Sequence, residues 1–249
     1  MSNKKTFNHI VLEQTASTNS YIEQIIQEGK TLEEFTVVSA IKQYSGRGQR
    51  GNSWESEEGK NLTFSFVIYP NHIPVNRQFI ISKAISVAIK EILSCYADGF
   101  TIKWPNDIYW NDKKIAGILI EHTIVNDKID KTIVGVGINI NQQKFISDAP
   151  NPVSLINIIG VETDKEEVLE RVMSRFIDIY NKLKEGKTYR LDDNYINSQY
   201  RLRRKEKYRD KDGEFEAVIT SIEDNGLLTL TDTIGEERKY WFKEVEYII

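Results

Sequence analysis

The chain has very few of the residues that crosslink proteins or ligate metals. Its 249 residues include one cysteine, Cys95, and three histidines. A single cysteine excludes an internal disulfide, which favours a reducing compartment and a cytoplasmic location. The histidines, His9, His72 and His122, lack the spacing of metal ligands, so the sequence leaves any metal site unknown. We interpret Cys95 as a small residue buried in a helix rather than as a nucleophile.

Long apolar segments and an excess of positive charge are also missing. No run of about 18 apolar residues is present, and residues 1–5 lead into polar sequence without the apolar core of a signal peptide. The chain carries 33 Lys and Arg against 37 Asp and Glu, a net charge of −4. This balance gives no general attraction to nucleic acid or to a membrane surface, so we expect neither as a partner. Any anion-binding site must be local.

The rest of the composition is typical of a folded protein. Hydrophobic residues make up 40% of the chain and charged residues 28%, and a chain of this length can bury about three quarters of its extended surface. Helical and strand patterns alternate in the first part of the sequence, whereas short strand patterns dominate the end. The sequence therefore predicts an α+β fold with a large domain over 1–203 and a small β domain over 204–249.

Hydrophobic periodicity predicts the individual elements. Helices are expected after Ser17 or Thr18, over 76–97, and from a capping box at Thr163 to Lys184. A terminal hairpin is expected to turn at residues 224–226. Strands are predicted at 10–12, 35–41, 62–69, 101–104, 108–110, 115–121 and 132–140.

A polar loop with the sequence SGRGQRGNSW (residues 45–54) lies between two predicted strands. Its glycines allow backbone amides to approach a ligand, while Arg47 and Arg50 can donate paired hydrogen bonds to phosphate or carboxylate oxygens. The loop lacks the Gly-Lys-Ser/Thr ending of a Walker loop and the spacing of a dinucleotide fingerprint. The residues fit an anion-binding loop, and a solvated basic loop is the alternative.

Two further segments carry polar groups at strand ends. KWPNDIYWNDKKIAG (residues 103–117) brings Lys103 and Lys114 near Asn106 and Asp107, which suits a phosphate or a nucleotide but also fits a hairpin with a salt bridge. GVGININ (residues 135–141) ends with Asn139 and Asn141 on one face of a strand, which also fits strand-end capping. Neither segment alone decides a function.

Taken in order, the motifs resemble those of the biotin protein ligases, also called biotin-[acetyl-CoA-carboxylase] ligases. The motifs are ASTN at 16–19, Q-x-x-GRG-x-RG-x-x-W at 43–54, KWPND and KKIAG-x-L-x-E within 103–121, and GVGIN-x-N at 135–141. The resemblance implies a class II synthetase-like catalytic domain with a mixed sheet, followed by a small SH3-like β-barrel. One position departs from the family pattern: Gln49 stands where the family usually has an arginine that helps hold the adenylate.

The resemblance also implies an activity. Biotin would react with ATP to form biotinyl-5′-AMP, and a lysine of a biotin carboxyl carrier domain in a biotin-dependent carboxylase would then accept the biotin. ATP, Mg²⁺ and biotin would be required, and the enzyme would be a monomer or a weak homodimer. An N-terminal DNA-binding domain is not expected, because ASTN begins at residue 16. Lipoate or octanoate protein ligase-like acyl transfer, or non-catalytic biotin binding, are the alternatives.

By the same resemblance, Arg47 and Lys114 are the catalytic residues. The implied biotin-binding residues are Ser17, Thr18, Asn19, Gln43, Gly46, Arg47, Gly48, Gln49, Lys114 and Gly117. The implied nucleotide-binding residues are Arg50, Trp54, Lys103, Asn106, Asp107 and Asn139.

Overall fold

A computed structural model describes residues 7–147 and 150–249, apart from the side chains of Arg50 and Tyr189. The helices are α1 (Thr18–Gln27), α2 (Phe79–Leu93), α3 (Leu155–Ile159), α4 (Lys165–Lys184) and α5 (Tyr189–Asn197). The strands are β1 (His9–Thr15), β2 (Val37–Gln43), β3 (Leu62–Ile68), β4 (Phe100–Lys103), β5 (Asp107–Trp110), β6 (Lys113–Val125), β7 (Lys128–Ile138), β8 (Glu206–Asp210), β9 (Gly213–Ile222), β10 (Leu228–Asp232), β11 (Glu237–Tyr240) and β12 (Glu246–Tyr247).

The first seven strands form one mixed sheet in the order β1-β2-β3-β7-β6-β5-β4. β1 and β2 are parallel because α1 connects them as a crossover, whereas the other neighbours pair antiparallel. This arrangement confirms the expected α+β fold with a mixed sheet.

Helices cover both faces of this sheet. Successive residues of a strand point to opposite faces, so Val38 and Val67 pack with Ile22 of α1, while their neighbours Val37 and Phe66 enter the larger core on the other face. That larger core includes nearly all of α2, which is buried among the sheet, α4 and α5. Each fully buried aliphatic side chain contributes about 1.5–3 kcal/mol.

The last five strands form a second, antiparallel sheet in the order β11-β10-β9-β8-β12, here called the C-terminal sheet. The predicted hairpin is present, and Gly226 in its turn has a φ of +94°. Trp104 donates from Nε1 to the carbonyl oxygen of Gly226 at 3.0 Å, and its ring lies 5.3 Å from that of Phe242. These contacts hold the C-terminal sheet beside the end of β4. Its closure into an SH3-like barrel stays a prediction.

Some local predictions differ from the structure. The helix predicted over 76–97 ends earlier, so Cys95 lies beyond α2 and is exposed, and the prediction of a buried cysteine is wrong. The cap of α4 is Asp164 rather than Thr163, because the Asp164 carboxylate accepts a hydrogen bond from the backbone of Glu166 at 2.9 Å. The short helix α3 was not predicted. Among the described residues, no helix is both long and apolar enough to cross a membrane.

Candidate active site

A cavity of about 320 Å³ opens where the start of α1, the loop 45–54, the glycines of β6 and β7, and the turn after β4 meet. Most of the site residues predicted from the sequence line this cavity. They are Ser17, Thr18, Asn19, Gln43, Arg47, Gly48, Gln49, Trp54, Lys103, Asn106, Asp107, Lys114 and Gly117. Segments that are separated by up to about 100 positions in the sequence therefore meet at one site.

One corner of the cavity is a network of neutral polar side chains at the start of α1. Thr18 donates from its backbone N–H to Gln43 Oε1 at 2.8 Å, and its hydroxyl lies 2.6 Å from Ser65 Oγ. Ser65 in turn donates to Asn19 Oδ1 at 2.5 Å. Thr18, Asn19 and Ser65 are buried, so each polar atom here is held by a partner. The corner suits an uncharged ligand group that both donates and accepts hydrogen bonds.

The floor of the cavity is made by glycines of two adjacent strands. Gly117 of β6 pairs with Gly137 of β7, and Gly135 follows on the same face. The indole of Trp54 lies across this floor, and a Cβ at Gly117 would be 3.0 Å from Trp54 Cζ3. A Cβ at Gly137 would overlap the indole itself. The glycines therefore make room for a flat group directly on the sheet, a space that Trp54 now partly fills.

Two cations from different elements face the cavity, each paired with a carboxylate. Arg47 Nη2 of the loop lies 2.6 Å from Glu121 Oε1, and Lys114 Nζ of β6 lies 2.7 Å from Asp107 Oδ1. Lys114 Nζ is also 5.7 Å from the centre of the Trp54 ring. Both pairs are partly exposed, so an incoming anion can compete for these cations.

A third cation, Lys103, is deeper. Its Nζ lies 5.2 Å from the ring centre of Tyr109 and 4.7 Å from that of Tyr247, which comes from the C-terminal sheet. Burial lowers the pKa of Lys103, and Lys114 lowers it further, while the charge of Asp107 opposes the shift. An anion in the cavity would stabilise its charged form.

Three residues that the sequence predicts for the site are not among the described residues that line the cavity. Gly46 packs against the backbone of Trp54, and a Cβ there would be 2.6 Å from the Trp54 carbonyl oxygen. Asn139 is buried and donates to the carbonyl oxygen of Val153 at 3.1 Å, so its role with a nucleotide stays a prediction. The side chain of Arg50 is outside the described part of the chain.

The structure adds residues that the sequence reasoning missed. Glu121 contacts Arg47, Ser65 belongs to the neutral corner, and Phe242 and Lys243, in the turn between β11 and β12, line the cavity. Alternation along β6 could have indicated Glu121, because it shares a face with Gly117. No local pattern could have indicated Phe242 and Lys243, because they are more than 100 positions away from the other lining residues.

Comparison with known proteins assigns the family. The model of the Biotin/lipoate A/B protein ligase family matches residues 11–139, which is more than half of the chain. The chain belongs to this family. The matched segment contains every residue of the neutral corner, the loop and the glycine floor.

The relatives of this chain include both longer proteins and proteins of similar length. It is 36% identical to "Bifunctional ligase/repressor BirA" of Bacillus subtilis over 152 residues, which cover 57% of this chain and 45% of that protein. It is 27% identical to "Biotin--[acetyl-CoA-carboxylase] ligase" of Paracoccus denitrificans over 91% of this chain and 95% of that protein. The chain thus spans less than half the length of the BirA relatives that it matches.

The fold is also similar to that of a solved ligase. The structure described as biotin protein ligase from Aquifex aeolicus in complex with biotin and ATP matches 97% of this chain and 99% of its own, with a TM-score of 0.80 and 25% identity. The similarity includes the C-terminal sheet because nearly the whole chain is covered.

Proposed function

We propose that the protein joins biotin, through biotinyl-5′-AMP, to one lysine of a biotin carboxyl carrier protein in an ATP-dependent reaction. The observation that carries the proposal is the meeting, in one cavity, of a neutral hydrogen-bonding corner with the cations Arg47 and Lys114. Biotin has the matching chemistry, because a neutral urea ring and a carboxylate lie at its two ends. The relatives named as biotin ligases and the Aquifex aeolicus structure support the same assignment.

The binding roles follow the chemistry of the cavity. Ser17, Thr18, Asn19 and Gln43 would hydrogen-bond the urea ring, since they supply both donors and acceptors at one buried corner. The glycine floor would let the rest of biotin lie on the sheet, and Trp54 would move to cover it. Lys103, Asn106 and Asp107 would then face the nucleotide from the far side of the cavity.

The reaction must bring two anions together. A carboxylate and a triphosphate repel each other unless positive charge stands between them. Arg47 would contact both the biotin carboxylate and the α-phosphate, and Lys114 would supply the second charge. The carboxylate oxygen forms a bond to the α-phosphorus as the bond to the β-phosphate bridging oxygen breaks, and pyrophosphate leaves. The neutral lysine amine of the carrier then attacks the biotinyl carbonyl, the bond to AMP breaks, and the nitrogen releases one proton to solvent as the amide forms.

Mg²⁺ is part of the proposal as the companion of ATP. The described residues contain no group of three or more His, Cys, Asp or Glu side chains that could hold a metal. Among the described residues, Asp107 is the carboxylate that lines the cavity, and Mg²⁺ is commonly held by one or two carboxylates together with substrate phosphates. Asp107 is therefore the residue that would contact the ion, which would screen the charge of the triphosphate.

The remaining features of the proposal concern the whole molecule. We propose that residues 1–203 and 204–249 are two domains, and that the second contributes Phe242 and Lys243 to the site. We also propose a cytoplasmic protein that acts as a monomer or weak homodimer, with a carrier domain as its partner and neither DNA nor a membrane.

One experiment separates this function from its alternatives. The full chain is incubated with ATP, Mg²⁺, a biotin carboxyl carrier domain and either biotin or lipoate, and the intact mass of the carrier is measured. The expected result is modification by biotin in the presence of ATP, with little by lipoate, because lipoate has no urea ring to fill the neutral corner. Modification by lipoate alone would identify a lipoate ligase. Binding of biotin without pyrophosphate release would identify a binding protein.

Gln49, which lines the cavity, gives a prediction about retention of the intermediate. We expect Gln49→Arg to slow escape of biotinyl-5′-AMP by about tenfold or more, because one added charge-assisted hydrogen bond contributes about 1.5–3 kcal/mol. Escape is measured as the loss of labelled adenylate from the isolated complex. Gln14→Arg, a change on β1 outside the cavity, is the control. Equal escape rates for wild type and Gln49→Arg would contradict the prediction.

Gly135 gives a prediction about biotin recognition. A Cβ at this position would overlap the side-chain amide of Asn19, which is held by Ser65 and Glu121. Gly135→Ala is therefore expected to displace Asn19 and to weaken biotin binding about tenfold or more. The reason is that the displaced amide would no longer make its hydrogen bonds to the urea ring, which contribute about 0.5–1.5 kcal/mol each. Calorimetric titration with biotin measures the effect.

The matched control for this prediction is a double-mutant cycle. If the collision with Asn19 is the cause, Gly135→Ala will weaken binding much less in an Asn19→Ala background. Equal losses in both backgrounds would show that Gly135 acts in another way.

A further inference from the structure

Glu121 is a charged contact of Arg47 that the proposed function leaves unexplained. Its two carboxylate oxygens bind two different elements: Oε1 lies 2.6 Å from Arg47 Nη2, and Oε2 accepts a hydrogen bond from Asn19 Nδ2 at 2.8 Å. Arg47 Nη1 is also 3.4 Å from Ser20 Oγ. One carboxylate therefore connects the neutral corner of the cavity with its arginine.

The position of Glu121 on the sheet is fixed, whereas Arg47 lies on a loop. Glu121 follows Gly117 and Leu119 on one face of β6, and it is held opposite Ile133 in the ladder between β6 and β7. The start of the loop is anchored to β1 and to the residue that follows it: Tyr44 N–H donates to the carbonyl oxygen of Thr15 at 3.1 Å, and Ser45 N–H donates to that of Ala16 at 3.0 Å. Opening of the pair therefore requires movement of the arginine side chain, not of the strand.

We propose that Glu121 occupies Arg47 before the substrate enters and competes with the carboxylate of the substrate for it. This inference rests on the proposed function, in which Arg47 binds the biotin carboxylate. Binding then exchanges one carboxylate for another, so Arg47 is never left without a counter-charge in the cavity. The pair is easily displaced, because the side chains are 47% and 36% exposed and exposed pairs are weak.

The competition has a consequence for specificity. A ligand with a carboxylate gives Arg47 a new ion pair in place of the one with Glu121, whereas an uncharged analogue of the same shape leaves Arg47 paired with Glu121. Glu121 thus acts as a positioning residue. Removal of its charge should increase the affinity for the acid relative to the affinity for the neutral analogue. A purely structural role would change the affinity for both ligands by the same factor.

The test compares biotin with biotinol, in which a CH₂OH group replaces the carboxylate. Dissociation constants of both ligands are measured by calorimetry for the full chain and for Glu121→Gln, which keeps the size of the side chain and an acceptor for Asn19. We expect Glu121→Gln to tighten biotin binding about two- to fivefold, the range of a partly exposed ion pair, and to change biotinol binding less than twofold. The KM for biotin should fall by the same factor, with kcat within twofold.

Two further variants complete the design. Glu121→Asp keeps the charge and should keep the ratio of the two dissociation constants closer to wild type than Glu121→Gln does. Glu58→Gln removes the carboxylate of an exposed pair with Lys42, outside the cavity, and should change neither ligand.

The possible results distinguish the competition at Arg47 from the proposed ligase function. An equal change for both ligands, or weaker biotin binding by Glu121→Gln, overturns the competition while leaving the proposed function standing. Failure of the wild-type chain to bind biotin overturns both. Binding of biotin with the expected change in ratio, but without pyrophosphate release from ATP, supports the competition and overturns the ligase activity alone.

Discussion

Replacing Arg47 with alanine is expected to reduce biotin-dependent release of pyrophosphate from ATP by about 100- to 1,000-fold. The reason is electrostatic: a fixed donor aimed at developing charge contributes about 2.7–4 kcal/mol in known enzymes, and Arg47 would stand between two anions. A guanidinium can also donate two parallel hydrogen bonds to one carboxylate or phosphate, a geometry that alanine removes. A coupled assay for pyrophosphate, with and without biotin, measures the loss.

Lys42→Ala is the matched control for this variant. Lys42 lies on β2 near the same loop, but it pairs with Glu58 outside the cavity. We expect it to retain activity within about twofold of wild type, since an exposed ion pair contributes at most about 1 kcal/mol. Near-normal pyrophosphate release by Arg47→Ala would remove Arg47 from the catalytic residues.

Replacing Lys83 with methionine is expected to lower the free energy of unfolding by about 2–3 kcal/mol. Lys83 is 4% exposed, and its Nζ lies 2.8 Å from Asp192 Oδ1 of α5 and 2.8 Å from Asp224 Oδ1 of the turn between β9 and β10. Methionine keeps the volume of the side chain but leaves two carboxylates without their shared cation. Removing one partner of a buried ion pair destabilises the fold because the remaining charge is no longer compensated. Urea unfolding measures the change.

The control and the pH dependence make this prediction specific. Lys182→Met removes an exposed partner of Asp178 and should cost less than about 1 kcal/mol. Burial alone would raise the pKa of Asp224, but hydrogen bonds and charge from Lys83 and Arg77 bring it below its ordinary value of 3.8. Stability from this group is therefore complete above that value and is lost as the pH falls below it. The loss on acidification should be smaller in Lys83→Met, and an equal loss in both proteins would contradict the assignment.

The local features of the protein could be predicted well from the sequence. Strand β3 was predicted within one residue because its run of apolar residues is bounded by polar sequence, and the hairpin at Gly226 because the turn requires a positive φ. The cap of α4 was placed one residue early, and α2 ends at Leu93 rather than at residue 97, since several residues near a helix end can serve as the cap. Cys95 was misplaced for that reason.

The candidate site also has features that follow from the sequence and features that follow only from the tertiary structure. The sequence by itself determined which chemical groups are present, because the spacing of Arg47 in its glycine loop and of Gly117 in β6 is a property of short segments. Only the tertiary structure decided which of them meet. Glu121 contacts Arg47 across 74 positions, and Phe242 reaches the cavity from the turn between β11 and β12. Side-chain periodicity assigns a residue to a face of its own element, but contacts between elements depend on how the whole core packs, and short-range spacing does not contain that information.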